Sequence, residues 1–203
     1  MNMHGLRTEV VEGIEEIKDE IAQVDSQIAA KAEQISPGES ILVYRPSGTV
    51  RGFLAKAAAR RKFAVFQLFY SQDDKPEDYK DFRNDLVKHG VEVINVYGSA
   101  STIMSRLTRV VLDGLAVFAN GAVIVDAGGA NIAHVAEGYG KAVTVLSGVY
   151  RFSPEIVDDP ERFVTWAEET PRGFSGEDKA VPVMMALTET IPGRQVKEYI
   201  TNL

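Results

Sequence analysis

Residues 117–141 read VFANGAVIVDAGGANIAHVAEGYGK. An apolar run, a loop punctuated by glycine and a stretch of small and apolar residues ending in glycines spell a strand, a loop and a helix. In open α/β sheets, such loops at the carboxyl ends of strands are where ligands are held. Any chemistry this chain performs is therefore expected there.

The same alternation runs outward in both directions. SILVY (40–44), FAVFQLF (63–69), VEVINVY (91–97) and KAVTVLSG (141–148) read as strands apolar on both faces. GTVRGFLAKAAARRK (48–62) and KPEDYKDFRNDLVKHG (75–90) read as helices, the second closed by Gly90. SASTIMSRL (99–107) opens on Ser99, an N-cap residue type, and reads as a short helix, while RVVLDGLAVFAN (109–120) is one more apolar stretch. This order predicts an α/β fold: a Rossmann-like parallel sheet with helices on both faces.

Before the alternation, Leu6, Val10, Ile14, Ile17, Ile21, Val24, Ile28, Ala32 and Ile35 step by three or four residues. That is the apolar stripe of a long amphipathic helix, stopped by Pro37-Gly38. The expected division is an N-terminal helix over 1–38 and an α/β domain over 39–203. The stripe either covers its own domain or packs in part against something outside the chain. From Val149 the alternation decays, and 149–183, rich in Pro, Asp and Glu, is expected to be a surface excursion. RQVKEYITNL (194–203) reads as a final helix, and the stop at Leu203 reads as that of a fragment.

Composition narrows the function. With 203 residues the chain can bury a core without staples. It has no cysteine, which excludes disulfides, thiolate zinc sites and cysteine nucleophiles and fits a reducing compartment. A net charge of −7 argues against general nucleic-acid binding. No apolar run reaches membrane-spanning length and no apolar signal core opens the chain, so the cytoplasm is the default.

Chemistry-bearing motifs are sparse. Neither G-x-G-x-x-G after the first strand, nor a P-loop, nor G-x-S-x-G occurs. His4, His89 and His134 lie too far apart for a histidine metal motif, so no metal and no cofactor is expected. The first strand-to-helix loop, YRPSGTVRG, offers Ser47, Gly48, Thr49 and Arg51 at a helix start beside Arg45. Those residues make either an anion site or an ordinary capped turn. Asp113 and Asp126 either act as a base at a strand end or make local turn hydrogen bonds. Gly128-Gly129 suits either a bound anion or tight packing. The ARRKF run (59–63) is either a solvated helix end or a docking patch for an acidic partner.

The segment STIMSRLTRVVLDGLAVFANGAVIVDAGGANIAHVAEGYGKAVTVLSGVYRFSP (101–154) resembles a known family. That family joins the alpha, beta and delta subunits of eukaryotic translation initiation factor 2B to the methylthioribose-1-phosphate and ribose-1,5-bisphosphate isomerases. MSRLTRVVLDG, FANGAV and YRFSP are most similar to its beta branch, and the likeness extends over nearly all of 5–203. The family's enzymes carry a cysteine in H-C-N-T-G; here YRPSG places Arg45 at that position. They carry an aspartate in G-A-D-R; here Leu115 falls on it. Where they have N-K-I-G-T, this chain has Val125 and Asp126 in VDAGG. A leucine takes no proton, and an acid in place of a cation repels a sugar phosphate.

The resemblance therefore implies a non-catalytic regulatory subunit of the guanine nucleotide exchange factor for translation initiation factor 2. Its implied partners are the delta, gamma, epsilon and alpha subunits and the initiation factor itself, with neither nucleic acid nor membrane bound directly. Such a subunit would help sense the phosphorylated substrate. Assembly contacts are expected on the helix exteriors over 100–107 and 131–138. The competing expectation is an active sugar-phosphate isomerase using Asp113 or Asp126 as base.

Overall fold

The computed structural model describes residues 3–70, 76–159, 163–167 and 185–203. Six strands form a wholly parallel sheet: β1 (Ser40–Tyr44), β2 (Ala64–Phe69), β3 (Glu92–Tyr97), β4 (Arg109–Asp113), β7 (Ala142–Leu146) and β12 (Glu198–Ile200). Their order is β12-β7-β4-β1-β2-β3. The chain steps outward from β1 in one direction, then returns to continue in the other. The β1/β4 boundary is therefore the switch point where open sheets of this kind form a crevice.

Alternate residues of each strand feed two cores. Ile41 and Val43 face α1 (Met3–Ala30), α2 (Gly48–Ala58) and α3 (Lys80–Lys88). Leu42 and Tyr44 face α4 (Gly129–Gly138) and Met104. Burial on both faces is why these strands read as unbroken apolar runs.

The N-terminal helix ends at Ala30, and a single 3-10 turn, Ala32–Gln34, carries the chain toward Pro37. Its stripe splits. Val24, Ile28, Ala32 and Ile35 pack into the core with α2, whereas Val10, Val11, Ile14, Ile17 and Ile21 are exposed.

The apolar stretch 109–120 divides into two strands, β4 and β5 (Ala116–Phe118), separated at Gly114. A Cβ on Gly114 would lie 2.7 Å from Val145 Cγ1, so the turn between them needs glycine. The segment 99–107 is two 3-10 turns, Ala100–Thr102 and Met104–Arg106. The expected short helix does not form: Ser99 Oγ accepts from the Ser101 amide at 3.4 Å and Thr102 Oγ1 donates to the Ser99 carbonyl at 2.7 Å, local bonds that compete with a helical ladder. The final segment is the edge strand β12, paired with β7, and not a helix.

A second sheet, β11-β6-β5-β8, lies beyond the carboxyl end of β4. In it β5 and β6 (Val123–Asp126) form an antiparallel hairpin turning at Asn120-Gly121. β8 (Phe152–Ser153) pairs with β5, and β11 (Thr188–Ile191) with β6. β9 (Trp166–Ala167) pairs with β10 (Met185–Ala186). Most of the expected excursion over 149–183 lies outside the described residues; in the described part Val157 is buried beside Phe118 and Ala122.

Candidate functional site

At the switch point β1 ends on Tyr44 and β4 on Asp113. Arg45 follows with φ +42°, a left-handed backbone conformation unusual for a residue with a side chain. Its guanidinium lies 5.4 Å from the centre of the Tyr44 ring. Ser47 caps α2, accepting a hydrogen bond from the Val50 amide at 3.3 Å. Thr49 donates to Asp25 on α1 at 2.6 Å, and the Arg51 Nε donates to Asp85 on α3 at 2.6 Å. The Arg51 guanidinium holds the Asp85 carboxyl below its ordinary value. The expected anion group thus has side chains that fasten α2 to its neighbours.

Asp113 is 8% exposed, and its carboxylate receives Arg151 Nη1 at 3.2 Å on both oxygens. The same nitrogen donates to the Gly114 carbonyl at 2.8 Å, and Ser147 also donates there, at 3.1 Å. Burial pushes the Asp113 carboxyl above its ordinary value, outweighing the pull of Arg151 and the Ser47 hydrogen bond; the nearby Asp126 adds to the rise. Burial alone would lower the Arg151 guanidinium, yet Asp113 and Tyr150 carry it above its ordinary value.

On the facing side, Val125 is 2% exposed and packed into the second core, while Asp126 is half-buried at the end of β6. The Tyr44 hydroxyl donates to the Ala127 carbonyl at 2.9 Å. Gly128 has φ +100°, and a Cβ there would meet the Tyr44 hydroxyl at 3.0 Å. Glycine is what lets the tyrosine lie against the loop.

The N-terminus of α4, with its free amides and positive dipole end, attracts an anion. The Glu189 carboxylate of β11 supplies one, accepting from the Ala130 amide at 3.1 Å. The space left between Tyr44, Leu112, Asp113, Val125, Asp126 and Gly129 is about 10 Å³. That is room for about one water.

Leu115, two residues past Asp113, is 36% exposed, its amide donating to the Ile124 carbonyl at 2.8 Å. Val125 and Asp126 line the crevice, Ser47 hydrogen-bonds to Asp113 at its edge and Arg45 lies over the Tyr44 ring, while Arg51 and Thr49 turn away toward α3 and α1. Of the histidines, His89 bonds the Asp85 carbonyl at 2.7 Å and His134 is exposed beside Glu137. Among the described residues no three acidic or imidazole groups converge as a metal site.

The residues that fill the crevice were not singled out by sequence. Arg151, Tyr44 and Glu189 lie 38, 83 and 59 residues from the groups they bind. Nothing in local spacing connects them.

Residues 2–203 match the initiation factor 2 subunit family. The chain belongs to that family. Among curated relatives, the translation initiation factor eIF2B subunit beta of Schizosaccharomyces pombe is 26% identical over 98% of this chain and 51% of its own length. The crystal structure of eIF2B beta from Chaetomium thermophilum is 39% identical, with a TM-score of 0.71 over 98% of this chain and 54% of that one. A second solved structure, the tetrameric eIF2B-beta2-delta2 complex from C. thermophilum, is 38% identical, with a TM-score of 0.74 over 100% of this chain and 62% of that one. The chain thus spans about half the length of the relatives it matches. In this member of the family, Val125 and Asp126 line the crevice beside the Asp113–Arg151 pair.

Proposed function

We propose that this chain is the α/β domain of a beta-type, non-catalytic subunit of the exchange factor for translation initiation factor 2. It assembles with other subunits in the cytoplasm and contributes to sensing the phosphorylated substrate. The observation that carries this reading is the occupied crevice: Arg151 on Asp113, Tyr44 on Ala127 and Glu189 on the start of α4 leave about 10 Å³. Catalysis requires a reacting group within reach of a bound substrate, and among the described residues the crevice between Tyr44, Asp113 and Asp126 offers little room for one.

The face around that crevice suits protein association. Leu115, Tyr150 and Phe152 are exposed in segments that follow Asp113 and flank Arg151, and Trp166 and Leu187 are exposed in β9 and next to β10. The two groups are tied to the crevice itself, since Arg151 follows Tyr150 and the Leu187 carbonyl accepts from the Ala127 amide at 3.0 Å. Exposed aromatic and apolar side chains concentrated on one face mark interfaces. The beta–delta tetramer of a relative names the occupant we propose, a delta-type family member. The helix exteriors over 100–107 and 131–138 present Ser101, Arg106, Asn131, His134 and Glu137 to solvent and are more polar. Sensing of phosphorylation would follow from different affinities of the assembled complex for the two substrate states.

The rival reading is a sugar-phosphate isomerase working through Asp113 or Asp126. An isomerisation assay with ribose-1,5-bisphosphate and methylthioribose-1-phosphate distinguishes them. We expect no turnover above buffer. Turnover that disappears on Asp126→Asn would overturn the proposal.

A further inference from the structure

At the opposite end of the main sheet, before the first residues of β7 and β12, lies an open cleft of about 630 Å³. Lys141, Arg194 and Lys197 line it, with Glu137 its single acid. Arg194 and Lys197 are exposed, and Lys141 donates to the Ser105 carbonyl at 3.4 Å. Glu137 is already engaged, accepting from Gln195 at 2.7 Å. Three cations share this cleft on a chain whose net charge is −7.

We infer that this cleft docks an acidic peptide segment of a protein partner, independently of the face around the crevice. Three observations favour that ligand. The cations come from two separate stretches, the loop after α4 and the turn before β12, so they meet charges distributed along a chain. None of the cations is buried, so nothing encloses a small anion. No aromatic residue lines the cleft, so it lacks the stacking platform that single-stranded nucleic acid uses. Val196 forms part of its floor and Gln195 offers an amide beside the cations, features that suit a peptide backbone.

The test is fluorescence anisotropy with a labelled peptide of alternating glutamate and serine, using the whole chain at low salt. Saturable binding that weakens as salt rises is expected. Arg194→Glu with Lys197→Glu should weaken it by about tenfold or more, as reversal of two exposed contacts does. Arg7→Glu with Lys18→Glu, on α1, makes the same change in net charge and should leave binding nearly intact. Both pairs are exposed, and Arg194→Gln with Lys197→Gln provides a milder version should the reversal perturb folding. Equal loss in the two pairs, or no saturable binding, overturns the inference. So does tighter binding of a single-stranded oligonucleotide that depends on the same two cations.

Discussion

Asp113 is the residue on which the site turns. Its carboxyl titrates above the ordinary aspartate value because burial outweighs Arg151. The folded state therefore holds the proton more readily than the unfolded state. This contribution to stability is fully present below the unfolded aspartate range and is lost as pH rises through the folded value. Asp85, lowered by Arg51, has the opposite sign: its contribution is lost as pH falls. Carboxyl NMR titration should show Asp113 raised and Asp85 depressed. Arg151→Ala should push Asp113 further up and cost about 2–3 kcal/mol in denaturant unfolding, since it strands a buried carboxylate. Retention of full stability would show that the pair does not hold the crevice. Glu189→Gln removes the charge at the start of α4 and should cost about 0.5–1 kcal/mol. Leu115, Val125 and Arg45 stand out in the sequence only through the family resemblance, which sets them at positions where its enzymes carry other groups. The residues that fill the crevice do not, because contacts made across 38 to 83 residues leave no local trace.

At the scale of elements, the parallel sheet was legible because strands buried on both faces must be apolar throughout. The final strand was not. Val196, Tyr199, Ile200 and Leu203 are spaced as on a helix, yet the open edge of β7 captures the segment. Arg109 Nη1 pins it by donating to Glu198 at 3.0 Å while its Nε holds Glu39 at 3.0 Å, and Ile200 is buried. Tertiary pairing there overrides local pattern. Tyr199 closes the arrangement by donating to the Gly121 carbonyl of the β5–β6 turn. Burial pushes its hydroxyl up to about 12. An unfolded tyrosine ionises near pH ~10, so stability should fall as pH rises from there toward the folded value. Tyr199→Phe should reduce that alkaline slope, leaving the smaller part due to Tyr70, and cost about 1 kcal/mol at neutral pH. An unchanged slope in urea unfolding across that range would contradict the assignment.

Over the whole molecule, apolar surface is distributed unevenly. The first half of the α1 stripe is exposed while its second half is core. Replacing Ile14, Ile17 and Ile21 with glutamine should change unfolding free energy by less than about 0.5 kcal/mol per site. Ile28→Ala should cost about 2–5 kcal/mol, because it empties a fully buried position. The sequence showed a long stripe that either covers its own domain or packs in part outside the chain, and where coverage stops depends on where α2 lies beneath it. The other exposed apolar group, around the crevice, is the surface on which the proposed role rests. Light scattering of this chain mixed with a delta-type family member tests that role most directly. The account predicts a mixed complex that is lost when Trp166 and Leu187 are both changed to aspartate, while the variant's own thermal unfolding is unchanged. Two partners that remain separate at concentrations where each is folded would contradict it.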